Sequence, residues 1–144
     1  MFILLALACM NPSGPKSMGP SVELGTLRQV VPASNLPSDV NTQTSNNNLD
    51  VIEHSDGRLY LAFRTGPNHF ASSSVHMYII SSDDDGENWR LEQDLFMETD
   101  LREPRFLSLE DKLILHYAVL GDNPLDFEPQ GTMRTILEEG EWSS

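Results

Sequence analysis

Cysteine is nearly absent. Cys9 is the only one in 144 residues, so no disulfide can form within the chain. Cations are scarce too: nine Lys and Arg stand against 22 Asp and Glu, a formal net charge of −13. That balance argues against nucleic acid as a partner, because neutralising phosphates needs clustered Lys and Arg. Otherwise an acidic surface reports mainly on solubility. No apolar run approaches the roughly 20 residues needed to cross a bilayer as a helix; the run at residues 2–9 is far too short. Helical periodicity is missing as well. The four histidines (His54, His69, His76, His116) lack metal-ligand spacing, and His76 and His116 read as packing residues. No cofactor and no metal is expected.

What is present begins at the N-terminus. Cys9 closes the apolar run, and Ala6-Leu7-Ala8-Cys9 resembles a bacterial lipobox. The resemblance implies lipid attachment to Cys9 and cleavage before it, hence membrane anchoring through that lipid at the bacterial cell envelope, or secretion. Residues 10–20, rich in Pro, Gly and Ser, suit a tether. No basic residue precedes the run, so a start that is not a genuine signal is the competing reading. Residues 1–20 therefore read as signal and tether. Residues 21–48 read as an extended lead-in, with one strand expected at 27–31.

From residue 49 an internal repeat emerges. Leu59, Leu61 and Phe63 recur as Leu113, Leu115 and Tyr117, a constant shift of 54 (59 to 113). The same shift carries Gly86 onto Gly140 and brings Trp89 within one residue of Trp142. Each unit holds about four strands, and the inner ones are apolar on both faces, as in sheets sandwiched between sheets. Residues 49–96 and 97–144 then form two successive units, the second truncated. Period and strand count match one propeller blade. A β-sandwich with look-alike hairpins is the alternative.

The sharpest motif is Ser82-Asp83-Asp84-Asp85-Gly86-Glu87-Asn88-Trp89, which fits S-x-D-x-G-x-x-W. Gly86 supplies positive φ for a tight hairpin, Ser82 and Asp84 can bond the turn's own backbone, and Trp89 can fold back as an apolar plug. This resembles the Asp box of sialidase-like β-propellers, and Glu138-Glu139-Gly140-Glu141-Trp142 resembles a worn second copy without the serine. The resemblance implies an all-β, incomplete six-bladed propeller of about two four-stranded blades, the N-terminal portion of a divergent member. Ser81-x-Asp83-x-Asp85-Gly86 with Glu92 also approximates an EF-hand loop, but its first position is serine, its eighth is Asn88 and its flanks read as strands; a looser calcium site on Asp83, Asp84 and Asp85 is a separate alternative.

In that family a glycan is the ligand: arginines grip its carboxylate, and a Tyr/Glu pair with an Asp does the chemistry. Guanidinium forks suit a planar carboxylate. The Asp box lies at the periphery there, so Ser82, Asp84, Gly86 and Trp89 are expected to be structural. Arg102-Glu103-Pro104 resembles the family's R-I-P arginine motif, with glutamate replacing isoleucine and in the second repeat instead of the first. Arg102 is thus a candidate anion grip, or else pairs locally with Glu103 or Asp100. Arg64 and His69, leaving a strand of the first repeat, are further substrate-binding candidates. Asp50 and Glu103 are candidate carboxylates for acid/base work. The resemblance puts the Tyr/Glu pair in later blades. The chain then reads as part of a secreted or lipid-anchored sialidase-like glycoside hydrolase, or as a non-catalytic propeller module binding carbohydrate or protein, or as an inactive fragment.

Overall fold

A computed structural model describes residues 25–143. Cys9 and the signal and tether readings fall outside the described residues. Eight strands follow in chain order: β1 Ser45–Glu53, β2 Leu59–Gly66, β3 His76–Ser82, β4 Arg90–Leu95, β5 Asp100–Leu109, β6 Lys112–Leu120, β7 Pro129–Glu138 and β8 Glu141–Trp142. They make two antiparallel four-stranded sheets, β1-β2-β3-β4 and β5-β6-β7-β8, neither closed on itself. Among the described residues there is no helix. The all-β reading and the two four-stranded units hold.

Alternation along each strand decides the packing, because successive side chains point to opposite faces. In the first sheet Tyr60, Ala62, Met77 and Ile79 turn one way, where they meet Leu113, Leu115, Tyr117 and Val119 of the second sheet. Leu61, Phe63, Tyr78 and Ile80 turn the other way, toward Val40, with Val30, Val31 and Leu36 of the lead-in packed alongside. The lead-in therefore acts as a lid over the outer face of the first sheet. Residues 27–31 form no strand, contrary to expectation. Two prolines, Pro32 and Pro37, interrupt the segment. It is held by side chains instead of a ladder: the Asn41 amide donates to Tyr78 Oη (3.3 Å) and the Gln43 amide to Thr65 Oγ1 (2.7 Å).

The repeat now acquires a spatial meaning. Leu61 and Phe63 face the lead-in, whereas their repeat partners Leu115 and Tyr117 face the first sheet. The two sheets thus meet by opposite faces, a head-to-tail arrangement. Where β1 and β5 run side by side, bonds join positions at nearly the repeat distance. Asn48 Nδ2 donates to Glu103 Oε1 (2.7 Å), the Phe106 amide donates to Asp50 Oδ2 (2.7 Å), and His54 Nδ1 lies 2.7 Å from Ser108 Oγ. Each strand also bulges at the same place, between Asn47 and Leu49 and between Arg102 and Arg105. Asn48 and Glu103 take positive φ there, 46° and 50°. The second sheet's outward face shows Leu107 about half exposed, beside exposed Arg105 and Arg134.

Candidate functional site

Register sorts the loops into two ends. Ser45 pairs with Gly66 and Leu59 with Ser82. The β1–β2 and β3–β4 turns therefore share one end. The opposite end carries loops 67–75 and 121–128 and the beginnings of β1 and β5.

The Ser82–Trp89 turn occupies the first end. Ser82 Oγ donates to Asp84 Oδ1 (2.8 Å) and accepts from the Gly86 amide (2.9 Å). Asp84 in turn accepts from Asn88 Nδ2 (2.7 Å) and from the Asn88 amide (2.9 Å). Gly86 sits at φ 81°, and a Cβ there would lie 3.3 Å from Trp89 Cζ2. Trp89 is buried against Leu61 and Ile80, its Nε1 without a partner. The repeat's second turn puts Gly140 at φ 86°, and Trp142 packs edge-on against Tyr60 at 6.2 Å.

Donation from the Asn88 side chain, with its amide and Ser82, pulls the Asp84 carboxyl down to about 2. A lowered carboxyl stabilises the fold fully above the unfolded value of about 3.9 and loses that contribution as pH falls through the folded value. Carboxyl NMR titration is expected to give Asp84 a midpoint near 2, rising toward the ordinary aspartate value in Asn88→Ala. An unmoved midpoint in the variant would assign the effect elsewhere. Asp83 Oδ2 is engaged by Arg90 Nη2 (2.9 Å), and among the described residues no three His, Cys, Asp or Glu side chains are grouped to hold a metal ion.

The second end brings candidates together. Asp100 is fully buried and bridges two arginines: Arg64 Nε donates to its Oδ1 (2.8 Å) and Arg102 Nε to its Oδ2 (2.5 Å). Arg64 is also fully buried, with Nη1 on the Asn68 carbonyl (3.1 Å) and Nη2 on the Phe70 carbonyl (2.9 Å). Its guanidinium is spent inside the chain, pinning loop 67–75. Gly66 makes room for it, since a Cβ there would lie 3.1 Å from Arg64 Nη1. Arg102 keeps some exposure (16%) and donates through Nη2 to the His69 carbonyl (2.8 Å). Two cations against one anion leave the cluster a net positive charge in an acidic chain.

Beside Arg102 lies an open depression of about 300 Å³, lined by His69, Phe70, Ala71, Leu120, residues 124–127 and Arg102 itself. Arg102 and His69 thus share one site, with Arg64 beneath them. Asp50 and Glu103 are occupied elsewhere: Asp50 accepts from the Phe106 amide, and Glu103 accepts from Asn48 and, at 3.4 Å, from Arg105 Nη2. All three tyrosines lie in the core clusters, their hydroxyls pushed up by burial. The bridging role of Asp100 was visible in sequence only as one of two local partners for Arg102. The apolar half of the depression carries no motif, because it depends on the convergence of two loops that begin 54 positions apart (67 and 121). No protein-family model, no curated protein and no solved structure matches this chain.

Proposed function

We propose that the chain is part of a divergent sialidase-like β-propeller and that the depression at Arg102 binds the carboxylate of an acidic sugar. The observation that carries the reading is the Arg64–Asp100–Arg102 cluster. It fixes one partly exposed cation in the lining of a concave site at the strand end opposite the Ser82–Trp89 turn. The head-to-tail stacking of the sheets supports the propeller, because repeating the same operation adds further blades in one direction. The Asp-box turn, closed by Ser82, Asp84 and Gly86, supports the family.

Binding is what the geometry supports best; hydrolysis needs a nucleophile, and the tyrosines here are core residues. Glycan binding is therefore the role we assign to this site. Action at the bacterial envelope, anchored through Cys9, or after secretion belongs to the same proposal. N-acetylneuraminic acid is expected to bind and a neutral hexose is not. Arg102→Ala is expected to weaken the acid by about 1.5–3 kcal/mol, roughly ten- to hundredfold, as the charge-assisted bonds are lost. Calorimetric titration of both proteins measures this. Equal affinity in wild type and variant removes Arg102 as the grip.

A further inference from the structure

Loops 67–75 and 121–128 do something unusual for a water-facing rim. Leu125 is 95% exposed, Phe127 69% and Phe70 61%, and all three line the Arg102 depression. Their exposure does not come from unanchored chain. The Phe70 amide is held by Asn68 Oδ1 (2.8 Å), its carbonyl by Arg64, and the His69 carbonyl by Arg102. Across the depression the Gly121 amide bonds the Glu128 carbonyl (2.9 Å), and the Leu125 amide bonds Asn123 Oδ1 (3.0 Å). Both loops are tied at their bases and present apolar side chains at their tips. Ala71, Leu120 and Pro124 extend the apolar lining, while Asp126 is its one carboxylate.

A grouped set of large exposed apolar side chains marks a contact surface. Here the set surrounds a single partly exposed arginine, and that combination fits a ligand with charge at one end and an apolar group at the other. We infer that the depression takes a carboxylated sugar bearing an aryl or alkyl substituent, its carboxylate on Arg102 and its apolar group between Phe70, Leu125 and Phe127. This rests on the carboxylated-glycan reading of the same site. The two phenyl rings offer faces and edges to an aromatic substituent, and Leu125 closes the rim.

The test compares methyl and benzyl α-sialosides, with benzyl alcohol as the uncharged probe, by calorimetry or NMR titration. Wild type is expected to bind the benzyl sialoside at least about tenfold more tightly than the methyl one, from burial of the phenyl group. Phe70→Ser/Phe127→Ser, both at exposed positions, is expected to abolish that preference, lowering the benzyl affinity to that of the methyl sialoside measured on the same variant. Arg102→Ala is expected to weaken both sialosides. Equal affinity for the two in wild type overturns this inference and leaves the sugar site standing, whereas binding of neither overturns both. Benzyl alcohol binding as tightly as the benzyl sialoside, or burial of the rim in a dimer seen by sedimentation, also overturns it.

Discussion

Asp100→Ala is expected to destabilise the protein by about 3–5 kcal/mol, the cost of breaking a buried ion pair from one side. Arg64 would remain fully enclosed with its Nε facing a hole where a carboxylate had been. Its other two nitrogens would still bond the Asn68 and Phe70 carbonyls, but neutral carbonyls do not balance a buried charge. Arg102 would lose its partner as well, so both arginines that anchor loop 67–75 would be held less firmly. Urea denaturation gives the free energy, and hydrogen exchange at residues 68–71 gives the local effect. Asp100→Asn keeps the shape and one acceptor and is expected to cost less. A loss below about 1 kcal/mol for Asp100→Ala would mean that Arg64 finds water, contrary to its enclosure.

Leu115→Ala is expected to cost about 2–5 kcal/mol, the range for emptying a buried leucine site. Leu115 is completely inaccessible and lies in the layer where the two sheets meet, among Tyr60, Met77 and Leu137. The sheets close on it from both sides, so little collapse can fill the void. The informative comparison is Leu107→Ala, on the outward face of the same sheet, where the side chain is about half exposed. That change is expected to stay within about 0.5 kcal/mol. Similar losses for both would contradict the face-to-face stacking, because the two leucines differ chiefly in which side of the sheet they occupy.

Much of this arrangement was legible in the residues. The turn at Gly86 and its echo at Gly140 are local matters: positive φ is cheap for glycine, and the flanking side chains close the ring of bonds within a few positions. Strand alternation is local too, and the shift between Leu61 and Leu115 exposes the repeat without any knowledge of contacts. The lead-in was less readable. Val30 and Val31 have strand character, yet no neighbouring strand is offered to them, and prolines at 32 and 37 leave side-chain packing as the way to settle.

For the candidate site the division is sharper. Arg64, His69 and Arg102 could be named from the sequence, but their standing relative to one another could not. Arg64 and Asp100 are 36 positions apart, and nothing local says which arginine is consumed within the protein and which keeps a free surface. The sequence by itself determined the turns, the strands, the two units and the acidic surface, because each follows from the conformational preference or polarity of nearby residues. Tertiary structure alone decided that Asp100 bridges two arginines, that Asp50 and Glu103 are tied into the β1–β5 contact, and that Phe70 and Phe127 share a rim. Those outcomes depend on how two sheets stack and which loop ends they bring together, a long-range choice made by burial across the whole interface.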